Sequence, residues 1–298
     1  VMASEVTSLG SHSDLWRPLE GSFSGLAERR GWATLFPPLR RAGDVLGCVS
    51  AEMARATGLD PSCKVVCGIH DSNASFLWHL YGQPPDQNFA VVSSGTWIIV
   101  MARGVDVRKL KQERDMLANV DAFGFPLGTA RFMGGREYHA IVGDSGIATT
   151  PTVSGLRTVI AARSMALPSF ARAGGPFPTR TGTLLGADGL GDAELAAMAT
   201  LYVALVTDVM LDLLETTGNV VIDGPLAVNP LFGPLLGALR PLSSVLLSDQ
   251  AAGPIRGGFA LVAGASKSAE LANLRSVKPL DLQGLAHYRE EWRNLCEP

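Results

Sequence analysis

The tripeptide Ile69-His70-Asp71 follows an apolar, β-branched run and precedes a segment with helical spacing. In α/β folds, ligands gather at the carboxyl ends of strands. A carboxylate at such a position can accept a proton from a hydroxyl that attacks a phosphorus or carbonyl centre. Asp is also a favoured helix N-cap, and position alone favours this capping role for Asp71 and a structural role for His70.

A second segment, Ser93-Ser94-Gly95-Thr96, joins two β-type runs. A tight turn of Gly and hydroxyl residues directs several backbone N–H groups into one concavity, which can hold phosphate oxygens. The segment is not a Walker A loop, because the spacing differs and the Lys is missing. As an isolated tetrapeptide, the segment is better explained as an ordinary hairpin turn.

Two further segments combine small residues with a predicted helix start. Asp223-Gly224-Pro225 follows a buried strand and precedes Asn229, and this composition would suit close approach to a planar base or a ribose. The alternative is a plain strand-to-helix loop in which Asn229 caps the helix, and this alternative is favoured for the segment alone. Gly134-Gly135, at the start of another predicted helix, carries the same ambiguity.

Metal and acyl-transfer chemistry have little support in the sequence. Glu137 and His139 are two residues apart and do not share a helix face, so no metal site is predicted there. The chain has no Gly-x-Ser-x-Gly elbow and no Cys beside a suitable His. Its four cysteines lack a second Cys/His pair at zinc-finger spacing, and we expect them to be reduced thiols.

Composition narrows the class of protein further. The 298 residues carry 25 Lys and Arg against 28 Asp and Glu, a net charge of −3, which argues against nucleic acid as a partner. The apolar stretch 195–207 falls short of the roughly 20 residues that span a bilayer, so it predicts a buried helix. Without a recognisable signal peptide or membrane span, the expected location is cytoplasmic.

Apolar spacing predicts strands and helices that alternate through the second half of the chain, which indicates an α/β fold. A Gly-, Pro- and Thr-rich surface loop is predicted over residues 168–190. The predicted helices cover residues 44–59, 72–80, 132–142, 192–217, 229–239 and 257–265. The predicted strands cover residues 5–9, 64–69, 89–92, 97–101, 118–123, 220–224 and 245–247.

In chain order, these segments resemble the FGGY family of carbohydrate kinases, especially its rhamnulokinase- and fuculokinase-like members, within the ribonuclease-H-like, actin-like ATPase fold. The matching segments are VTSLGSHSDLW from Val6, Gly68-Ile69-His70-Asp71, VVSSGTW from Val91, FMGG from Phe132, VIDG from Val221 with NPLF from Asn229, and the small-residue helix 253–264. Their collinear order over nearly the whole chain is what makes the resemblance specific.

The resemblance implies ATP-dependent transfer of a phosphoryl group to a ketose or polyol hydroxyl, with Mg²⁺ as cofactor and sugar and ATP as partners. Homodimers are common in the family, so a homodimer is also expected. The implied roles are general base for Asp71, sugar contact for His70, phosphate binding for Ser94, Gly95 and Thr96, and adenosine binding for Gly135, Gly224 and Asn229.

The resemblance also implies two domains: residues 1–84 as the remnant of a sugar-binding N-terminal domain, and residues 85–298 as the C-terminal nucleotide-binding domain, with a hinge near 82–88. Two departures from the family pattern stand out. Pro225 stands at or beside the second of the usual paired glycines of the adenosine motif. The family's first phosphate motif, Asp-x-Gly-Thr, is not among these residues, and the chain begins at Val1, so most of the N-terminal domain is expected to lie outside this sequence.

These departures keep a second hypothesis open, in which the chain is a catalytically incomplete nucleotide-binding or dimerising fragment of such a kinase. A third hypothesis, an α/β hydrolase that uses His70 and Asp71, ranks last because the sequence offers neither a nucleophile nor an oxyanion motif. The sequence does not predict which sugar is used, because the family reads the sugar mainly with the N-terminal domain.

Overall fold

The computed structural model describes residues 1–11, 13–84, 86–172, 174–248, 253–266 and 273–297, without the side chain of Ser145. These residues form two compact units. The first unit contains the described residues within 1–85, 118–127 and 252–272. The second contains those within 86–117, 128–251 and 273–298.

Helices and strands alternate along the described residues. The helices are α1 (Val6–Gly10), α2 (Gly25–Arg29), α3 (Ala51–Thr57), α4 (Asp71–Tyr81), α5 (Gly134–Gly146), α6 (Val153–Ala162), α7 (Asp192–Leu213), α8 (Phe232–Leu239), α9 (Gly253–Ala263) and α10 (Leu285–Cys296). The strands are β1 (Ser4–Glu5), β2 (Trp16–Arg17), β3 (Ser22–Phe23), β4 (Leu39–Arg40), β5 (Val45–Cys48), β6 (Lys64–Val66), β7 (Phe89–Ser94), β8 (Ile98–Arg103), β9 (Met116–Val120), β10 (Pro126–Phe132), β11 (Met165–Leu167), β12 (Thr183–Leu185), β13 (Asn219–Asp223), β14 (Val245–Ser248) and β15 (Leu274–Ser276).

The first unit is built around the packing of α4 against α9. The two helices approach closely at Gly257, where an added Cβ would lie 1.9 Å from the carbonyl oxygen of Ala74, so only Gly fits there. The guanidinium of Arg256 lies 5.1 Å from the ring centre of Trp78, which supports the same contact by a cation–π interaction. Small two-stranded sheets, β1–β4, β2–β3 and β5–β6, complete the unit.

The second unit is organised by a seven-stranded sheet in the order β15-β14-β13-β7-β8-β10-β9. At its centre, β13 runs parallel to both β7 and β14, whereas β7 and β8 form an antiparallel hairpin. The central strands are rich in Val and Ile and almost fully buried, as expected for strands covered on both faces. This topology brings the carboxyl ends of β7 and β13 to the same edge of the sheet.

Helix α7 forms the core of the second unit and packs against α5, α6 and α8. By length and composition alone, its 22 apolar-rich residues would also suffice to cross a membrane. However, 89% of its most apolar stretch is buried among other parts of the protein, as in the core helix of a folded unit. Asp192 and Glu194 in its first turn fit the positive end of the helix dipole.

The C-terminal helix α10 is attached to the second unit by two buried aromatic side chains. The hydroxyl of Tyr288 donates to the carbonyl of Ser164 over 2.6 Å, and the indole Nε1–H of Trp292 donates to that of Ala166 over 2.7 Å. Arg289 and Arg293 of α10 also bind Asp208 of α7, which is completely buried.

The α/β class and most predicted elements of the second unit are confirmed, but two predictions in the first unit were wrong. Residues 6–10 form α1 rather than a strand, because Glu5 caps the helix: its side chain accepts hydrogen bonds from the N–H groups of Thr7 and Ser8. Residues 45–48 form β5 rather than a helix, because they pair with β6. Only the second half of that predicted helix, Ala51–Thr57, is helical, with Ser50 as its cap.

Candidate functional site

The turn between β7 and β8 lies at the carboxyl end of β7, among the inner strands of the seven-stranded sheet. Pairing in the hairpin extends to Ser94 and Ile98, which leaves Gly95, Thr96 and Trp97 as the turn. Gly95 and Thr96 are exposed, and Ser94 is half-buried. Because β7 pairs in parallel with β13 as far as Asp223, this turn lies beside the loop that follows β13. This is the edge at which α/β sheets bind ligands.

The loop after β13 is fastened to this turn. The hydroxyl of Ser94 donates to the carbonyl of Asp223 over 2.7 Å and accepts from the N–H of Leu226 over 2.9 Å. Gly224 has φ +82, and a Cβ at this position would lie 2.3 Å from the carbonyl oxygen of Ser94. Both the backbone conformation and the close approach therefore require Gly at position 224.

The N-terminus of α5 meets the other side of the same turn. The N–H of Gly135 donates to the carbonyl of Thr96 over 3.2 Å. A Cβ on Gly135 would lie 2.5 Å from the carbonyl oxygen of Gly95, and one on Gly134 would lie 2.1 Å from Cδ1 of Ile98. Gly135 is therefore required because the helix start touches the backbone of the turn, whereas the atoms nearest Gly134 belong to side chains.

Asn229 lies between the loop after β13 and α8. Its Oδ1 accepts hydrogen bonds from the N–H groups of Leu231 and Phe232 over 2.9 and 3.0 Å, and its Nδ2 donates to Oγ1 of Thr200 over 3.4 Å. These are the hydrogen bonds expected if Asn229 caps the helix, although Leu231 occupies the N-cap position of α8. The same side chain also faces a cavity.

A cavity of about 420 Å³ opens where these segments meet, within the second unit. Ser94, Gly95, Gly135 and Asn229 line it. Its remaining wall is largely apolar, and none of the described residues that line it is charged. The apolar lining includes Ile98, Tyr138, Val203, Pro225, Leu226 and Val228. An apolar cavity beside an exposed turn of Gly and Thr can accommodate a ligand that has one flat apolar part and one anionic part.

Helix α5, which begins at this cavity, contains a buried carboxyl group. Oε2 of Glu137 accepts hydrogen bonds from the hydroxyl of Tyr202 and from the N–H of Phe170. Burial raises the pKa of the Glu137 carboxyl above its ordinary value, although these two hydrogen bonds oppose the shift. The contact fixes α5 to α7 below the cavity.

His70 and Asp71 lie at the start of α4 in the first unit. His70, not Asp71, occupies the N-cap position, so the capping alternative for Asp71 is wrong. Asp71 is the first residue of the helix, and its side chain is 73% exposed. Its Oδ1 lies 3.1 Å from Nδ1 of His70 and accepts a hydrogen bond from the N–H of Ser72 over 2.6 Å. A second carboxylate oxygen remains exposed to solvent on the same group.

A polar network that sequence reasoning missed positions this segment. The N–H of His70 donates to Oγ1 of Thr7 over 3.0 Å, and Oγ1 of Thr7 donates to Oε2 of Glu5 over 2.5 Å. Glu5 is buried and also accepts from the N–H groups of Thr7 and Ser8. Glu is not among the favoured N-cap residues, so the sequence carries no clear signal for this helix start.

Helix α4 is further anchored within the first unit through Asn73, which is completely buried. Its Nδ2 donates to the carbonyl of Val120, and to Oδ1 of Asn119 over 3.4 Å. The backbone that carries Asp71 is therefore held at both the helix start and the first turn.

The eight predicted site residues thus fall into two groups. Ser94, Gly95, Thr96, Gly135, Gly224 and Asn229 come together in the second unit, around one turn and one cavity. His70 and Asp71 are adjacent in the first unit. Among the described residues, no cluster of three or more His, Cys, Asp or Glu side chains could hold a metal ion.

A family model described as the C-terminal domain of FGGY carbohydrate kinases matches residues 86–270, more than half of the chain. The chain therefore belongs to the FGGY family of carbohydrate kinases. This match includes all six residues that surround the turn and the cavity of the second unit.

Two curated relatives match shorter stretches. The L-fuculokinase of Haemophilus influenzae is 40% identical over 68 residues, which are 23% of this chain and 13% of that protein. The L-fuculokinase of Escherichia coli (strain K12) is 34% identical over 90 residues, which are 30% of this chain and 18% of that protein.

Solved structures match nearly the whole chain. A carbohydrate kinase from Novosphingobium aromaticivorans is 36% identical with a TM-score of 0.86, over 99% of this chain and 64% of that one. The glycerol kinase of Plasmodium falciparum, solved with ADP, has a TM-score of 0.73 at 11% identity, over 98% of this chain and 62% of that one, and it shows the fold alone. The predicted actin-like ATPase fold is confirmed, and the chain spans less than two thirds of the length of these relatives.

Proposed function

We propose that this chain carries the nucleotide site and the general base of an ATP-dependent carbohydrate kinase that phosphorylates a ketose or polyol hydroxyl. The proposal rests on one observation: the three nucleotide-motif segments, which are far apart in sequence, surround a single largely apolar cavity at the carboxyl ends of β7 and β13. Family membership supports the same activity.

In this proposal, the turn and the cavity divide the nucleotide between them. The backbone N–H groups of the exposed turn at Gly95 and Thr96 bind the terminal phosphate oxygens, because phosphates accept hydrogen bonds and the turn presents donors. The apolar wall receives the adenine ring. Gly135 and Gly224 allow the helix start and the loop to approach the turn closely, and Asn229 fixes the start of α8 beside the cavity.

Asp71 acts as general base in the proposed reaction. Its exposed carboxylate accepts the proton of the sugar hydroxyl as the hydroxyl oxygen bonds to the γ-phosphorus and the bond from that phosphorus to the β,γ-bridging oxygen breaks, releasing ADP. Glu5 and Thr7 hold the backbone ahead of Asp71, and His70 is proposed to contact the sugar.

Magnesium fits this set of residues as an ion held mainly by the nucleotide. Mg²⁺ keeps several water ligands and commonly needs only one or two carboxylates plus substrate phosphates. Bound in this way, the ion would be held by the phosphates that the turn at Gly95 and Thr96 is proposed to bind, without a dedicated cluster of protein carboxylates. When bound, the ion would neutralise charge on the phosphates during transfer.

A sugar-dependent release of ADP tests the activity. We expect this release with ATP and Mg²⁺ for at least one sugar in a panel of fuculose, rhamnulose, xylulose, ribulose, gluconate and glycerol. Fuculose comes first because curated relatives are L-fuculokinases.

The proposal includes a cytoplasmic location, supported by four cysteines that are all free thiols.

Asp71→Asn is the variant that tests the general base. In the intact enzyme, we expect it to lose most turnover while ATP affinity, measured by calorimetry, changes little, because the neutral amide keeps the size of the side chain but cannot take the proton. Asp188→Asn, an exposed carboxylate outside both groups of site residues and outside the expected hinge, is the control. Turnover of Asp71→Asn comparable to that of the unmodified protein would refute the assignment.

The second candidate function is that of a nucleotide-binding fragment that does not phosphorylate sugar. The observation that favours it is coverage, since the chain spans only 64% of the Novosphingobium aromaticivorans kinase. The same experiment separates the two candidates. A fragment binds ATP but releases no ADP in response to any sugar in the panel.

A further inference from the structure

The loop after β13 has few backbone donors to offer a ligand. The N–H of Gly224 donates to Oδ1 of Asp223 over 2.9 Å, and the N–H of Leu226 donates to Oγ of Ser94. Residue 225 is Pro and has no N–H. The loop therefore meets the cavity with the apolar surfaces of Pro225 and Leu226 rather than with hydrogen-bond donors.

The hydroxyl of Ser94 is likewise unavailable to an anion. A serine hydroxyl has a single O–H donor, and Ser94 gives it to the carbonyl of Asp223 over 2.7 Å. Phosphate oxygens at neutral pH need donors, so the hydroxyl would bind a phosphate only after breaking its bond to Asp223. The remaining lone pair of Ser94 would repel a phosphate oxygen.

We propose that Ser94 is a positioning residue. Its hydroxyl links the proposed phosphate-binding turn to the proposed base-binding loop through two hydrogen bonds, to the Asp223 carbonyl and from the Leu226 N–H, which we call the clasp. The clasp fixes the distance between the two halves of the nucleotide site. This inference rests on the proposed nucleotide binding and assigns Ser94 a role different from direct phosphate contact. The clasp joins positions about 130 residues apart in the chain.

The close packing at Gly224 supports this role. A Cβ at Gly224 would lie 3.0 Å from Oγ of Ser94 and 2.3 Å from its carbonyl oxygen, so the loop rests directly on the residue before the turn. Without the hydroxyl, the loop loses the acceptor for the Leu226 N–H and the donor to the Asp223 carbonyl. The turn and the loop can then separate beyond the last β7–β13 pair, Ser93 with Asp223, and a ligand that spans both loses entropy in bringing them together.

The clasp predicts a specific dependence on the ligand. Adenosine reaches only the loop and the apolar wall, and inorganic tripolyphosphate reaches only the turn, whereas ATP spans both. Linked binding of two halves depends on their fixed separation, but binding of each half alone does not. Loss of the clasp should therefore weaken the binding of ATP and leave the binding of adenosine and of tripolyphosphate unchanged.

The test compares the unmodified chain with Ser94→Ala, using calorimetry for ATP and competition against ATP for adenosine and tripolyphosphate. We expect Ser94→Ala to bind ATP about tenfold more weakly, equivalent to about 1.4 kcal/mol, and to bind each partial ligand within about twofold of the unmodified chain. Ser94→Thr, which keeps the hydroxyl, should recover most of the ATP affinity. The matched control is Ser93→Ala, because successive side chains of a strand point to opposite faces.

Hydrogen exchange in the absence of nucleotide tests the clasp itself. The Leu226 amide should exchange faster in Ser94→Ala than in the unmodified chain or in Ser93→Ala, while thermal melting shows that all variants remain folded. Unchanged exchange at Leu226 would overturn the clasp.

The binding results separate the possible failures. If Ser94→Ala weakened tripolyphosphate as much as ATP, the hydroxyl would be a direct phosphate ligand and the inference would be wrong. If the unmodified chain bound ATP and Ser94→Ala bound it equally well, the inference alone would fail. If the unmodified chain bound no ATP at all, the proposed function would fail and the positioning role with it.

Discussion

Replacement of Gly135 by Ala probes the contact between the start of α5 and the turn that is proposed to bind phosphate. An added Cβ would lie 2.5 Å from the carbonyl oxygen of Gly95 and 3.2 Å from Cα of Thr96. Both neighbours are backbone atoms, so no side chain can rotate away to make room. The turn or the helix start must therefore move.

The geometry sets the size of this movement. Ordinary van der Waals contact begins near 3.4 Å, so the carbonyl of Gly95 must move away by about 0.9 Å. A displacement of about 1 Å in a group that positions a substrate can lower the catalytic rate about a hundredfold. We take the same factor as the upper limit for the loss of ATP affinity when the turn is displaced. Overpacking typically destabilises a protein by about 1–3 kcal/mol. We therefore expect Gly135→Ala to bind ATP ten- to a hundredfold more weakly, with the melting temperature lowered by a few degrees.

Calorimetric titration with ATP and thermal melting, performed on the same preparation, test this expectation. Gly258→Ala is the matched control, because a Cβ there meets no atom within 4 Å and the residue lies inside α9 of the first unit. Ala is favoured over Gly in a helix interior, so this control should be slightly stabilised and bind ATP unchanged. Unaltered ATP affinity in Gly135→Ala would refute the view that the helix start and the turn form one rigid binding surface.

Three further predictions concern stability and pH. Thr7→Val should lower the free energy of unfolding by about 1–3 kcal/mol in urea titrations, because it removes a hydroxyl that links the His70 N–H to the buried carboxylate of Glu5; an unchanged midpoint would contradict the network. Asp208→Asn should lower the free energy of unfolding by about 3–5 kcal/mol in the same titrations. The reason is that the completely buried carboxylate binds the guanidinium groups of Arg240, Arg289 and Arg293 within 3.1 Å. A loss below about 1 kcal/mol would show that these charges are compensated elsewhere. For Glu137→Gln, melting should be compared at pH 4 and pH 8. A carboxyl whose pKa is raised on folding makes the folded state lose stability as the pH rises from the unfolded value through the folded value. The amide of Gln keeps an acceptor for both donors that bind Oε2. The difference in melting temperature, variant minus unmodified protein, should therefore be more positive at pH 8 than at pH 4. An equal difference at both pH values would contradict the raised pKa.

Elements with strong local patterns could be predicted from the sequence. The β-branched runs on either side of Gly95 gave the hairpin of β7 and β8, and apolar residues at spacings of three and four gave α7. In both cases the local preference agrees with the tertiary structure, because the strands are buried on both faces and the helix is buried nearly all round.

Short segments were harder to predict because partners distant in sequence determine them. Val45 and Leu46 fit a helical spacing, but pairing with β6 makes this segment a strand. Glu5 starts a helix through its side-chain hydrogen bonds, which an apolar pattern does not report. Helix α6 escaped prediction although Thr152 accepts a hydrogen bond from the N–H of Gly155 and so marks its start.

The candidate site shows the same limit. Ser94, Gly135 and Gly224 were selected by the resemblance to the FGGY family and not by any single motif, and the fold brings them together around one turn. What each side chain does there depends on its hydrogen bonds, as with the Ser94 hydroxyl, which is engaged by Asp223 and Leu226. Such bonds join residues more than a hundred positions apart, and a single sequence does not report them.

The most direct test of the proposed nucleotide site is hydrogen exchange of the purified 298-residue chain with and without ATP and Mg²⁺. We predict that ATP protects three segments, residues 94–98, 134–138 and 224–230, which meet at the cavity of the second unit. Protection confined to another region, such as the hollow that Arg157 and His287 line between α6 and α10, would contradict the account.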